Sequence, residues 1–197
     1  MAGIDEAGRG PLAGPVVAAA AVLCNPAPAG LADSKRLSAK RRAELETSIR
    51  ATCAFGIAIV GVKEIDRLNI FGATMLAMTG AMAALQDALA DQALSAQVDG
   101  NMTPENRCED WRWPADAIVG GDGKVPAISA ASILAKEYRD RLMVEAAARH
   151  PGYGWERNKG YGSKAHMAAL RRLGPTPLHR RSFSPVAQME LAMEPPR

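Results

Sequence analysis

The chain has 197 residues and a mass of 20.8 kDa, enough for one domain with a small appendage and for a sizeable core. With 48% hydrophobic and 23% charged residues it is excluded from the disordered and low-complexity classes. The formal net charge of +3 permits nucleic-acid binding without arguing for it, so the distribution of charge must decide. Three cysteines, Cys24, Cys53 and Cys108, have no CxxC spacing and read as reduced thiols rather than a zinc site. The start carries Asp5 and Glu6 where a signal peptide needs an apolar run, and Pro15 to Cys24 is too short to span a bilayer. A cytoplasmic protein that meets no membrane is expected.

Gly3 to Ala7 reads as a short strand, followed by Gly8-Arg9-Gly10, Pro11 and Gly14-Pro15, far more turn residues than a hairpin needs. Glycine lets a backbone or a ligand come close, and an arginine between two glycines is well placed to meet a phosphate. Val16 to Leu23, apolar throughout, is a central strand bounded by turn residues. Asp33 to Ser38 is a polar loop, and Ser38 caps a helix from Ala39 to about Thr52 with Leu45 and Ile49 on one face.

Cys53 to Val62 alternates as a third strand, and Lys63 to Leu68 forms a short helical turn. Asn69 to about Asp91 is a long helix with Ala77, Ala81, Leu85 and Leu89 along its buried stripe; its methionines read as core filler. Ser95 to Asp99 is a fourth strand, Met102 to Pro114 a polar segment holding Trp111 and Trp113, and Ala115 to Val119 a fifth strand ended by Gly120 to Gly123. A helix follows from Ile128 to about His150, where the histidine meets the C-terminal dipole. Pro151 to Gly162 is a loop, Ser163 caps a helix to Leu173, and the chain then turns basic at His179, Arg180 and Arg181 and fades into a proline-terminated tail. The expected fold is α/β: a mixed five-stranded sheet flanked by helices, with residues 1–150 as the main domain and 151–197 as a small helical, basic extension packed on it.

Three strands deliver carboxylates near their C-terminal ends: Asp5 and Glu6, Asp99, and Asp122. Strand ends at a crevice are where open α/β sheets bind ligands. Grouped carboxylates repel one another and demand a cation, and hard divalent ions with oxygen ligands fit that need. Two such ions, about 4 Å apart, can activate water and stabilise the leaving oxygen at a phosphate ester. Taken singly, Asp99 and Asp122 are also ordinary turn residues. Adjacent residues on a strand point to opposite faces, so Asp5 and Glu6 share a site only where the strand ends.

The words Gly3-Ile-Asp-Glu-Ala-Gly-Arg-Gly-Pro-Leu-Ala-Gly-Pro-Val16 resemble the opening signature of the ribonuclease HII family. Asp33 to Ser38, Asn69-Ile70 with Ala73-Thr74, Val98 to Asn101, Gly121 to Pro126, Ile128 to Lys136, Asn158 to Gly162 and His179 to Phe183 are similar to its later blocks, in order. The resemblance implies a ribonuclease H-like fold and an endonuclease that cuts RNA in RNA–DNA hybrids, or 5′ of single ribonucleotides in duplex DNA, leaving a 3′-hydroxyl and a 5′-phosphate. It implies Asp5, Glu6, Asp99 and Asp122 as catalytic ligands of two Mg2+ or Mn2+ ions, with Asp5 bridging both. It further implies Gly8, Arg9 and Gly10 gripping the ribonucleotide and Tyr161 packing on the sugar, with substrate contacts from Ser34, Lys35, Asn69 and Lys136, in a monomer. Arg9 favours this family over its sister type, ribonuclease HIII, and the stretch from Met102 to Gly121 is longer than the family's usual one.

Other residues carry plainer expectations. Asp140, in a charged mid-helix run with Lys136, Tyr138, Arg139 and Arg141, reads as part of a solvated face. His166 reads as a surface residue of its helix. From Arg149 to Arg181 the basic residues Arg157, Lys159, Lys164, Arg171, Arg172 and Arg180 are interleaved with Tyr153, Trp155 and Tyr161, a pattern that suits duplex binding.

Overall fold

The structure, a computed structural model, describes residues 1–31, 37–90 and 92–193. Its centre is a five-stranded sheet in the order β3-β2-β1-β4-β5. The strands are β1 (Ala2–Ala7), β2 (Val16–Val22), β3 (Ala54–Val60), β4 (Ala96–Asp99) and β5 (Ala115–Ile118). β1 pairs antiparallel with β2, and β2 with β3, whereas β1, β4 and β5 run parallel. The sheet is therefore mixed, as expected. β1 lies at its middle, flanked by its own hairpin partner on one side and by β4 on the other. The C-terminal ends of β1, β4 and β5 emerge at one edge.

Helices cover both faces. On one lies α2 (Val62–Leu89), whose Ala73, Ala77, Met78, Ala81, Met82 and Leu85 are buried against Ile4, Val16, Ala18 and Ala20. The methionines are core filler. By length and composition α2 could cross a membrane, yet its apolar face is laid on the sheet. The opposite face, formed by Val17, Ala19 and Ala21, is covered by α1 (Ala39–Thr52) through Leu45 and Ile49 and by α3 (Pro126–Arg149) through Ala130, Ile133 and Leu134. The alanine-rich β2 lets both layers approach closely. Gly3 and Gly56 serve the same end: a Cβ on Gly3 would lie 2.2 Å from the α3 backbone, and one on Gly56 2.2 Å from a carbonyl of α2.

The expected short helical turn and long helix are both present, meeting within α2 at Asn69, whose φ of 59° and ψ of 171° are not helical. Asn69 Oδ1 accepts hydrogen bonds from the amides of Phe71 (2.8 Å) and Gly72 (3.1 Å), restarting the helix by capping its second half. α3 begins at Pro126 rather than Ile128, since a proline needs no amide partner in a first turn. The loop after α3 contains one helical turn, α4 (Trp155–Asn158), before α5 (Lys164–Leu173). The C-terminal segment, expected as a tail, forms α6 (Ser184–Met193), where Val186 packs with Leu12 and Leu170. The polar segment before β5 is pinned by its tryptophans. Trp111 Nε1 donates to the Trp113 carbonyl (2.6 Å), Trp113 Nε1 donates to Gln86 Oε1 on α2 (3.0 Å), and the rings meet edge to face.

Candidate active site

The parallel register decides where the carboxylates stand. Ile4 pairs with Val98, so Asp5 and Asp99 come next, side by side on the two strands. Ile4 and Val98 face α2, which leaves Asp5 and Asp99 on the α3 side. Glu6 takes the opposite face of β1, but at the strand's last turn both Asp5 and Glu6 line one cleft of about 330 Å³. This answers how adjacent carboxylates can share a site: the strand ends there, and the cleft wraps its end. Asp5 is buried, its Oδ1 accepting from the Glu6 amide at 2.7 Å and its carboxyl bonded to Ser132 on α3.

Burial, then the repulsion of Glu6 and Asp99, holds the Asp5 carboxyl well above the usual carboxylate range. Burial likewise raises the Glu6 carboxyl, with Asp99 adding repulsion and Arg9 opposing it. Asp122 lies in the 3-10 turn Gly121–Gly123 between β5 and α3 and is buried. The amides of Gly121 and Asp122 donate to Asp99 Oδ1 at 2.6 and 3.4 Å, which fastens this turn beside Asp99. Among the described residues no three acidic, histidine or cysteine side chains already converge on one point as a preformed metal cage. The donor set still fits a hard divalent ion: oxygen ligands only, with the buried Asp5 and the half-buried Glu6 carboxyls repelling one another, a repulsion that a cation would relieve.

Opposite the carboxylates, the Gly8-Arg9-Gly10 segment forms the second wall of the cleft. Gly8 has φ 99°, and a Cβ there would lie 2.1 Å from Arg139 Nε, so conformation and space both require glycine. Arg9 is half exposed and donates to Glu6 Oε1 at 3.3 Å. Tyr161 is 48% exposed, and a Cβ on Gly10 would stand 3.6 Å from its ring. A large aromatic left in solvent beside a polar cleft is a surface prepared for a flat or sugar-like partner. Lys136 lines the same cleft one helical turn beyond Ser132 and is paired with Asp140 Oδ1 at 2.8 Å. Asn69 lies outside this cleft. Two residues on, Phe71 borders a neighbouring groove with Arg9, Asp99 and Asn101. Ser34 and Lys35 lie outside the described residues.

The readings of five residues need correction. His166 is fully buried rather than on the surface, because the segment after α5 folds back over it and brings His179 to its ring (Nε2 to Nε2, 3.1 Å). Tyr153 and Trp155 are buried, stacked on each other with ring centroids 5.1 Å apart, so they cannot meet a duplex. Arg139 is not on a solvated face, and Arg180 is no surface cation: both are buried under the glycine-rich loop. Ser132 was missed as a site residue. Its spacing of four from Lys136 on one helix was the available signal.

With this geometry in view, the sequence model of the family described as Ribonuclease HII matches residues 2–186. The chain belongs to the ribonuclease HII family. It is thus a ribonuclease H, an endonuclease of the hydrolase class. A family member from Novosphingobium aromaticivorans is 65% identical over 191 residues, covering 96% of this chain and 97% of that one. The fold is shared with the ribonuclease H2 of Pyrococcus horikoshii, at 24% identity and a TM-score of 0.73 over 97% of each chain. It is also shared with the ribonuclease HII of Archaeoglobus fulgidus, solved in complex with PCNA, at 26% identity and a TM-score of 0.73 over 95% of each. The family match takes in β1 to α5 and reaches into α6, so the C-terminal segment that docks behind the glycine-rich loop is part of the shared unit.

Proposed function

We propose that this ribonuclease HII cuts the RNA strand of RNA–DNA hybrids and the 5′ side of single ribonucleotides in duplex DNA, giving 3′-hydroxyl and 5′-phosphate ends and acting as a monomer. The observation that carries the reading is one cleft with the buried Asp5 and the half-buried Glu6 on one wall and, on the other, a glycine-arginine-glycine loop beside an exposed tyrosine. A ribose differs from a deoxyribose by its 2′-hydroxyl, and an aromatic ring against the sugar together with loop amides at that hydroxyl can sense the difference.

Asp5, Glu6, Asp99 and Asp122 would hold Mg2+ or Mn2+. Such a cation, when bound, supplies Lewis-acid polarisation of the phosphate and activation of the attacking water. The chain's own residues do the rest. Ser132 fixes the Asp5 carboxyl, Arg9 counters the charge of Glu6, and the amides of the Gly121–Gly123 turn orient Asp99. Lys136 faces the cleft as a cation for the anionic backbone, and Tyr161 fixes the sugar. Arg157, Lys164, Arg171 and Arg172 lie exposed on or beside α4 and α5 and would follow the duplex away from the cut.

The test sets an end-labelled duplex carrying one ribonucleotide beside a long hybrid, each with Mg2+ and with Mn2+. Cleavage of both, with the single site cut 5′ of the ribonucleotide, is expected. Cleavage of the hybrid alone would make the chain a hybrid-only nuclease, and Asp5→Asn retaining near-wild-type cleavage would overturn the site.

A further inference from the structure

Two arginines lie beneath the glycine-rich loop in an environment that rarely takes a cation. Arg180 is fully buried; its Nε donates to the Gly14 carbonyl (2.9 Å), Nη1 to Arg9 (3.0 Å), and Nη2 to Gly8 (2.6 Å) and Pro15 (3.2 Å). Arg139, 1% exposed, donates through Nε to Pro15 (2.9 Å), through Nη2 to Ala13 (3.1 Å) and through Nη1 to Lys159 (3.0 Å). Among the described residues neither joins a salt bridge. Burying a cation without a carboxylate is costly, and a guanidinium is the side chain whose several fixed donors can bind many carbonyls at once.

The orientation of the loop follows. In a trans peptide the carbonyl of one residue and the amide of the next point in opposite directions. Asn25-Pro26 is the one cis bond among the described residues, so the loop peptides are trans. With the Gly8 and Arg9 carbonyls drawn inward to Arg180, the amides of Arg9 and Gly10 are turned outward, on the side where these residues line the cleft. Arg139 adds a second constraint. It bonds to Ala13 and Pro15 on the loop and to Lys159 just before Tyr161, and the Leu12 amide donates to Gly160 at 2.8 Å. The spacing between the loop and the tyrosine is thereby set from below.

The geometry points to Arg180, seconded by Arg139, as a positioning residue for ribose recognition: it holds the loop so that the Arg9 and Gly10 amides donate to the 2′-hydroxyl, while touching no substrate itself. This rests on the function proposed above and deepens it. Arg180 comes from the C-terminal segment, so that segment acts on selectivity from behind the loop rather than by gripping the duplex.

The test measures Kd in Ca2+, without turnover, for a duplex with one ribonucleotide and for its all-deoxy counterpart, in the wild type, Arg180→Lys and Arg139→Lys. Lysine keeps the charge but cannot span four carbonyls. The preference for the ribonucleotide duplex should fall about tenfold in Arg180→Lys, the size of one or two hydrogen bonds, with all-deoxy affinity within about twofold. A folded Arg180→Lys that keeps the preference overturns the inference, and so does equal weakening toward both duplexes, the mark of a merely structural role. In case the variant does not fold, the Arg9 and Gly10 amide resonances of the wild type decide. They should shift with the ribonucleotide duplex and not with the all-deoxy one, and identical responses would refute the assignment. A wild type that binds both duplexes alike and cleaves neither would instead defeat the proposed function.

Discussion

His166 accepts the Trp155 indole N–H at Nε2 (3.0 Å), so its proton sits on Nδ1 and is donated to the Tyr161 carbonyl (2.9 Å). His179 accepts the Thr176 amide at Nδ1 (2.9 Å), so its Nε2–H points to His166 Nε2. With both rings neutral, the indole N–H and the His179 Nε2–H share the one lone pair of His166 Nε2, and a further proton on either ring would face a donor. Burial first, then His166 and His150, lowers the His179 pKa to about 4 from 6.5; burial also lowers that of His166. The unfolded chain therefore binds the proton more readily. Stability from His179 is fully present above pH 6.5 and is lost as pH falls toward 4, by about 2 kcal/mol at pH 5. Urea unfolding at pH 7 and pH 5 should show this loss in the wild type and a clearly smaller one in His179→Gln, whereas equal losses would contradict the assignment. At the cleft the sign reverses, because Asp5 is a buried carboxyl repelled by its neighbours and is costly when charged. In chelator at pH 8, Asp5→Asn should therefore melt about 2–6 °C above the wild type while losing cleavage. Tyr161 separates ring from hydroxyl: Tyr161→Phe should be mild and Tyr161→Ala severe in kcat/KM, and equal losses would assign the work to the hydroxyl.

At the scale of elements, α2 and β1 set the geometry. The kink in α2 has a single local cause, since Asn69 adopts positive φ and caps the second half with its side-chain oxygen. Asn69→Ala removes the cap and places an alanine at φ 59°, which should cost about 1–3 kcal/mol in chemical unfolding. Asn69→Asp keeps the accepting oxygen and should cost little stability. If it also lowers affinity for the duplex, Asn69 touches substrate besides shaping the helix. β1 contributes through its neighbours. Its hairpin with β2 leaves the opposite edge to β4, and that parallel pairing alone puts Asp99 beside Asp5.

Over the whole molecule, 24 basic residues against 21 acidic give a mild net charge that hides a sorted arrangement. Carboxylates gather at one strand edge, two arginines are sealed beneath the loop, and exposed cations flank Tyr161 on the C-terminal helices. Replacing Arg157 and Lys164 together by alanine should raise KM with little change in kcat, and should reduce the log–log salt slope of duplex binding by about one for each phosphate no longer neutralised. An unchanged slope would place the duplex elsewhere on the surface.

The sequence by itself determined the strands, the α1 and α2 stripes, the mixed α/β class, the four strand-end carboxylates and the loop beside them, because periodicity, turn residues and short ordered words are local signals. It was silent on what depends on contacts between distant segments. The parallel β1–β4 register set Asp5 beside Asp99 across more than ninety positions of chain. The fold-back after α5 buried His166, and docking of residues 178–180 on residues 12–14 carried Arg180 under the loop. In sequence Arg180 is one more basic residue in a basic run, and Arg139 one more charge on a helix. Only the packed structure distinguishes a cation that meets water or a phosphate from one bonded to the carbonyls of its own chain, since burial and hydrogen-bond partners belong to the fold and not to the residue.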